Sequence, residues 1–179
     1  MSNNASVFVD DAVELLRKRY GKPTPFGSSR FLQFGSALTC SINYSKKLRG
    51  EKFFFGLAKE VVDPQFEYPK TKLGEFALLI CGASDKVIVL PRVTLLDMIR
   101  DVPTRKLDVF IESDIFVLQT TGHPKLNVTE FINRFPEHRR PKSSADDASD
   151  GSPVDRAHLK IQSHLIRIGR AEGCTVWVP

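Results

Sequence analysis

The pattern of apolar and polar positions predicts a helix near the start of the chain. Between Val9 and Tyr20, apolar residues recur at intervals of three and four, which is the spacing of one helix face. Acidic residues come early in this segment and basic residues late, as the helix dipole favours, and Gly21 is a typical stop. We therefore expect a helix over residues 9–20. A loop should follow over residues 22–29, where two prolines and a glycine interrupt the pattern.

Residues 31–120 contain short apolar runs, which predict a sheet. Residues 39–45 alternate with period two, so one side of this predicted strand is apolar and the other carries small polar side chains. The aromatic run at residues 52–58 is expected to return beside it as the second strand of a hairpin. Two further apolar pairs, over residues 75–91 and 106–121, predict two more hairpins.

Two more helices complete the predicted order of elements. Residues 92–102 have helical spacing and end before Pro103, and Asn127 can cap a short helix over residues 127–135 that stops at Pro136. Hairpins dominate and no strand-helix-strand repeat is present. The sequence therefore predicts the α+β class, with a mostly antiparallel, hairpin-built sheet or pseudobarrel and flanking helices.

The C-terminal part of the chain has a different composition. Residues 137–156 contain almost no large aliphatic side chain, so they cannot bury enough surface to offset their ordering entropy and are expected to form a flexible linker. Residues 157–179 have the pattern of an amphipathic helix followed by the start of an apolar strand. Such a short tail cannot form a core alone, so it either docks on the main domain, residues 1–136, or begins another one.

Composition excludes several classes of protein. Of the 179 residues, 41% are hydrophobic and 26% are charged, as in globular domains, and no apolar run is long enough to span a bilayer. The acidic start of the chain is unlike a secretory signal. Three isolated cysteines, Cys40, Cys81 and Cys174, suit a reducing compartment better than a disulfide framework or a zinc site. We therefore expect a cytoplasmic protein with no membrane partner.

Positive charge is concentrated in one part of the sequence. Residues 17–72 contain twelve Lys and Arg against four Asp and Glu, whereas the whole chain carries a net charge of +5. A localised basic field on an otherwise near-neutral chain favours a polyanionic partner, and nucleic acid is the commonest. The alternative interpretation is a solvated basic surface that keeps the chain soluble.

Catalytic motifs are absent from the sequence. It has no phosphate-binding or dinucleotide-binding glycine loop and no nucleophile elbow. His158 and His164 are six residues apart and do not share a helix face. Cys81 followed by Gly82 can be interpreted as a nucleophile on a turn, but a buried thiol before a turn glycine explains the pair better. A small hydrolase that uses Cys81 or a histidine therefore ranks last.

Residues 31–135 contain the run KFFFGLAKEV, the strand EFALLICG and the strand KVIVLP, followed by LDVFIESDIFVLQT and LNVTEFINRF. This order resembles the DNA-recognition module that precedes the catalytic domain in a group of bacterial and archaeal restriction-type endonucleases. Such modules often have the B-three pseudobarrel of plant transcription factors, a small antiparallel barrel that grips the major groove of DNA. The resemblance implies a similar fold and a double-stranded DNA partner.

The tail carries a second resemblance. Residues 158–169 read His-x-x-Ile-Gln-x-x-Leu-x-x-Ile-Gly, and residues 176–179 read Val-Trp-Val-Pro. This order is similar to the opening helix and first strand of PD-(D/E)XK nuclease domains. The metal-binding Asp and the (Asp/Glu)-x-Lys of that family would follow Pro179, where the sequence stops. The resemblance implies part of a Mg²⁺-dependent endodeoxyribonuclease, with no catalytic residue, metal ligand or cofactor in this chain and Mg²⁺ in the missing nuclease domain.

The leading hypothesis is a double-stranded DNA-binding specificity module of a restriction-like endonuclease. Endonucleases that cleave only modified DNA are included in this class. Basic residues of one turn are expected to hold phosphates, and the polar face of the strand at residues 39–45 to meet base edges. The candidate DNA contacts are Arg30, Ser41, Asn43, Ser45, Lys46, Lys47, Arg49 and Lys52. The alternative is a protein-interaction or regulatory domain with a solubilising basic surface.

Overall fold

The computed structural model describes residues 4–100, 102 and 104–137, which form one long helix, ten short strands and three short helical segments. In chain order these elements are α1 (Asn4–Tyr20), β1 (Pro23–Phe26), β2 (Ser28–Phe34), β3 (Leu38–Ser45), β4 (Lys47–Leu48), β5 (Lys52–Gly56), α2 (Lys59–Val62), β6 (Glu75–Cys81), β7 (Val87–Pro91), α3 (Arg92–Ile99), β8 (Lys106–Glu112), β9 (Ile115–Gln119), β10 (Leu126–Asn127) and a 3-10 turn (Thr129–Phe131). The predicted linker, apart from Glu137, and the predicted tail at residues 157–179 lie outside the described residues.

The strands form two five-stranded sheets. The first has the order β1-β2-β3-β6-β7 and the second has the order β10-β9-β8-β5-β4. Within the described residues, β3 and β6 are parallel and all other paired strands are antiparallel. The predicted α+β class with mostly antiparallel strands is therefore confirmed, and the two sheets do not close into a barrel.

Several local predictions are confirmed. The helix predicted over residues 9–20 lies within α1, which begins at Asn4. The hairpins predicted over residues 75–91 and 106–121 are β6–β7 and β8–β9, and the segment after β7 is helical as α3. These elements depend on periodicity and on neighbouring residues, which is the information that a sequence carries most directly.

The predicted hairpin between residues 39–45 and the aromatic run is wrong. One edge of β3 pairs with β6 as far as Ser45, and the other pairs with β2 as far as Ser41. The chain therefore bends at Lys46 into the second sheet, where β5 pairs with β4 and β8. A contact between β3 and β5 remains, because the Phe54 backbone N–H donates a hydrogen bond of 2.9 Å to Ser45 Oγ.

The loop predicted over residues 22–29 is also wrong, because this segment forms β1 and the start of β2. Its prolines, Pro23 and Pro25, lie on a strand at the edge of the first sheet. An edge strand tolerates proline, since the N–H that is missing can be one that faces away from the neighbouring strand.

The helix predicted over residues 127–135 is limited to one 3-10 turn. The Asn127 side chain accepts a hydrogen bond of 3.0 Å from the Thr129 N–H, as a cap would, but the helix does not continue. Asn133 instead has a positive φ of 53° and binds β7: its N–H donates to the Val87 carbonyl at 2.7 Å, and the Val87 N–H donates to Asn133 Oδ1 at 3.1 Å. Pairing with β7 thus replaces helical hydrogen bonds.

Apolar side chains form two cores, one on each face of the first sheet. The core beneath α1 is built from helix and strand residues: Ala12, Leu16, Tyr20, Phe34, Leu38, Cys40, Ile42, Leu78 and Ile80. The core between the sheets includes Phe31, Phe53, Phe55, Leu79, Leu90, Leu107, Val109 and Leu118, and α3 contributes Leu95 and Ile99. The first sheet is therefore covered on both faces.

One buried cation joins three segments around the core between the sheets. Arg92, only 6% exposed, lies at the start of α3, and its Nη1 is 2.8 Å from Glu75 Oε2 on β6. Its Nη2 donates to the Asp63 carbonyl after α2 at 2.6 Å, and its guanidinium carbon lies 4.1 Å from the centre of the Tyr68 ring. A planar group with five donors suits this set of partners, which lysine could not reproduce.

We expect Arg92→Ala to lower the free energy of unfolding by about 3 kcal/mol, because the partly exposed Glu75 carboxylate and the Asp63 backbone carbonyl lose a buried donor and the packing of the Arg92 side chain is lost. The matched control is Arg100→Ala just after α3, where an exposed ion pair with Asp97 should contribute less than about 1 kcal/mol. Urea denaturation of both full-length variants measures the difference. Equal losses in the two variants would show that Arg92 does not hold these segments together.

Candidate nucleic-acid interface

The predicted basic turn is an exposed hairpin tip between β4 and β5. Leu48 pairs with Lys52 at the last rung of this short ladder, and residues 46–51 are all exposed. Gly50 and Glu51 both have positive φ, of 71° and 55°, so the reversal is tight. The side chains of the tip therefore project into solvent from a defined backbone.

Two of the four candidate cations at this turn are neutralised within the chain. Lys47 forms an ion pair with Glu51 across the tip. Lys52 Nζ lies 2.9 Å from Asp108 Oδ2 on β8 and 5.2 Å from the centre of the Phe110 ring. The net positive charge that the turn offers to a partner is consequently smaller than the count of its basic residues suggests.

The other two candidate cations, Lys46 and Arg49, are exposed and form no ion pair with any residue of the described ranges. They stand on either side of the two-residue strand β4, at the base and at the tip of the hairpin. Both are therefore available to an anionic partner.

A close backbone contact supports the hairpin from below. Gly82, in the turn after β6, has a positive φ of 74°. A Cβ placed on it would lie 3.1 Å from the Phe53 ring and 3.7 Å from the backbone nitrogen of Lys47. Only glycine fits this approach without displacing its neighbours. The interpretation of this pair as a buried thiol before a turn glycine is confirmed, because Cys81 is buried and Gly82 has a positive φ. The packing of Gly82 against the basic hairpin is an additional finding.

The polar face of β3 is not on the surface, so the expectation that it is free to meet base edges is wrong. Ser41, Asn43 and Ser45 are 0%, 5% and 6% exposed. The reason is that the apolar face of β3 packs under α1 while the polar face turns toward the core between the sheets. Ser45 Oγ accepts a hydrogen bond from Phe54 N, and Asn43 Nδ2 donates to Ser41 Oγ at 3.4 Å.

A cleft opens where β2 and β3 diverge. Their ladder ends at the pair Phe31–Ser41, whereas β3 continues beside β6 as far as the pair Ser45–Cys81. The space left beside the last part of β3 lies between α1 and β5 and has a volume of about 470 Å³. Residues from all four elements line it, among them Val9, Asp10, Arg30, Asn43, Tyr44 and Phe55.

The structure brings Arg30 and the basic turn to the same end of the first sheet. Because β2 and β3 are antiparallel, the start of β2, which carries Arg30, lies toward the end of β3, from which the basic turn emerges. Asn43 lines the cleft at this same end. Ser41 and Ser45 belong to the polar row inside the fold.

Sequence reasoning did not find the cleft, the contact under Gly82 or the acidic partner of Lys52. Asp108 lies more than fifty residues from Lys52, and only the pairing of β5 with β8 brings the two together. The sequence did contain one usable signal, in the aromatic run of β5. Because adjacent strand residues face opposite ways, Phe54 had to face away from Phe53 and Phe55, and it is 41% exposed while they are buried.

The buried thiols do not have the properties of nucleophiles. Burial raises the pKa of the Cys81 thiol to about 12, with Lys86 opposing the shift, and burial also raises the pKa of Cys40. Among the described residues, no group of three or more His, Cys, Asp or Glu side chains could hold a metal ion. The Mg²⁺ implied by the nuclease resemblance therefore has no fitting site in the described part, and no step is assigned to it.

No helix in the described ranges has both the length and the apolar character needed to cross a bilayer.

No protein-family model matches this chain, and no curated protein or solved structure matches it significantly. The resemblances to restriction-type endonucleases stay predictions.

We expect Cys81 to react with a thiol reagent at pH 8 at least about a hundredfold more slowly in the folded chain than in denaturant. Cys174→Ser removes the thiol outside the described residues and leaves Cys40 and Cys81 to be followed by mass spectrometry. Rapid labelling of native Cys81 would instead support the hydrolase interpretation.

The folded state holds the Cys81 proton more tightly than the unfolded state does. Ionisation of this thiol should therefore lower the free energy of unfolding as pH rises above its ordinary pKa of 9.0.

Proposed function

We propose that this chain is a double-stranded DNA-binding specificity module of a restriction-like endonuclease and that Lys46 and Arg49 are its principal phosphate contacts. The observation that carries the proposal is that these two cations are exposed on a tight hairpin and unpaired within the described residues, while their neighbours are neutralised. Unpaired cations on one short hairpin repel one another less when an anion lies between them. A phosphate backbone supplies such anions at regular intervals.

The position of Arg30 supports the same proposal. It is exposed at the end of the first sheet from which the basic turn emerges, so a duplex that meets the turn also passes this part of β2. Contacts to phosphates fix the orientation of a protein on DNA but carry no sequence information themselves. Arg30, Lys46 and Arg49 are accordingly assigned to positioning, and Arg49, with its planar fork, can also grip a guanine edge.

A protein-interaction domain is the second candidate, because two apolar side chains are exposed close to the turn. Leu48 on β4 is 40% exposed and Phe54 on β5 is 41% exposed. Apolar surface beside a charged rim is common where proteins bind one another. Salt dependence separates the candidates, since DNA binding through several phosphates weakens steeply with salt and a protein-interaction domain has no DNA affinity at any salt.

We expect Arg49→Ala and Lys46→Ala each to weaken duplex binding and to reduce the slope of log affinity against log salt by about one. The full-length chain is titrated with labelled duplexes at several salt concentrations. If Arg49 reads a base, its removal should cost about 1–3 kcal/mol on the preferred duplex and much less on a scrambled one.

Two control variants sharpen this test. Replacing Lys47 and Glu51 together by Ala removes an ion pair with no net charge, so its effect should be clearly smaller than that of Lys46→Ala. Lys72→Ala removes an exposed cation that precedes β6, at the opposite end of the β3–β6 pair, and should leave affinity unchanged. If all four folded variants bind like the original chain, the turn is not the contact; absence of duplex binding at low salt would contradict the proposed function itself.

A further inference from the structure

The cleft between β2 and β3 has the size and the lining of a small-ligand site. Its volume of about 470 Å³ falls in the range of about 300–1,000 Å³ that is usual for such sites. Apolar side chains form much of the wall, from Val9 on α1, Leu32 on β2 and Phe55 on β5. Arg30 and Asp10 add one charge of each sign at exposed positions.

The side-chain amide of Asn43 is the group in this lining that most strongly indicates a ligand. It is 95% buried, and its only side-chain hydrogen bond among the described residues is a long one, 3.4 Å, from Nδ2 to Ser41 Oγ. An amide has two N–H donors and a carbonyl oxygen with two lone pairs, so most of this capacity is unused. Buried polar groups are usually satisfied, and a shortfall beside a cavity points to a ligand.

We infer that this cleft binds a single unpaired nucleobase through Asn43. A planar heterocycle fits a slot with apolar walls, and every base edge offers a donor beside an acceptor, which one amide can match with two hydrogen bonds. The phosphate attached to that nucleotide is assigned to Arg30 at the rim. Where the base comes from DNA, this inference rests on the proposed function.

The distance between the cleft and the basic turn suits one duplex that contacts both. Gly56 lines the cleft at one end of β5, and Lys52 is four residues away at the other end, which corresponds to about 13 Å along a strand. This span is close to the width of about 12 Å of a major groove. A duplex held at the turn can therefore present a nucleotide of the same groove region to the cleft.

The test uses duplexes in which one base lies opposite an abasic site, because an unpaired base can leave the stack at little cost. For each of the four bases, the affinity of the full-length chain is compared with that for the fully paired duplex. We expect at least one unpaired base to strengthen binding by about tenfold. Equal affinity for all paired and unpaired duplexes, together with no binding of free nucleotides in the cleft, would overturn the inference while leaving the proposed DNA binding intact.

Two variants connect this gain to the cleft. Val9→Phe places a larger side chain in the cleft space, and Val7→Phe is its control on the same helix, at an exposed position that does not line the cleft. Val9→Phe should remove the tenfold gain, whereas Val7→Phe should keep both the gain and the affinity for the fully paired duplex. Asn43→Ala, which adds no bulk, should also remove the gain. A gain that persists in folded Val9→Phe or Asn43→Ala would show that the base binds elsewhere.

Free nucleotides separate the two sources of a base. Adenosine, cytidine, guanosine and thymidine monophosphates are titrated into the chain, and nuclear magnetic resonance follows residues such as Asn43 and Gly56. Shifts confined to the cleft, and lost in Val9→Phe, support the site even if no duplex binds, and then identify a free nucleotide as the ligand. Absence of both the nucleotide shifts and the duplex gain would overturn the inference.

Discussion

Strand β3 is paired with β6 along almost its whole length, with β2 as far as Ser41, and is covered on both faces, and this constraint determines the position of the candidate interface. Its edges pair with β2 and β6, one face packs under α1, and the other turns toward the core between the sheets. The chain cannot extend the sheet after Ser45, so it turns at Lys46 into a second sheet, and the short hairpin made there is left in solvent. The exposure of the basic turn therefore follows from the pairing and the burial of β3.

The same constraint explains which parts of the fold the sequence could predict. Alternation along residues 39–45 correctly separated a polar face from an apolar face, because side chains of a strand alternate whatever lies above and below it. It could not tell which face meets water, since that depends on α1 and the second sheet. Likewise Asn127 had the chemistry of a cap, but Asn133 binds Val87, more than forty residues away, and this contact ends the helix.

Predicting which basic residues are unpaired required the same long-range information. The excess of basic residues between positions 17 and 72 pointed to a segment that contains the exposed hairpin, yet it counted Lys52 as free, whereas Asp108 on the neighbouring strand pairs with it. Lys47 is paired locally by Glu51. A short ion pair on the surface contributes little to stability, but it removes a cation from the field that a phosphate meets. Only the structure separates Lys46 and Arg49 from their neutralised neighbours.

Under the proposed function, burial of the polar row on β3 bears on selectivity at this end of the molecule. Contacts of Lys46 and Arg49 to phosphates attract DNA of any sequence, and of the two only Arg49 has a planar fork that can also read a guanine edge. A shielded group with unused hydrogen bonds discriminates between ligands more strongly, because water does not compete for its partners. Ser45 is satisfied by the Phe54 N–H, whereas Asn43 borders a cleft with most of its capacity unused. Among the described residues, the shielded Asn43 amide is therefore our proposed source of selectivity, beside any base contact of Arg49.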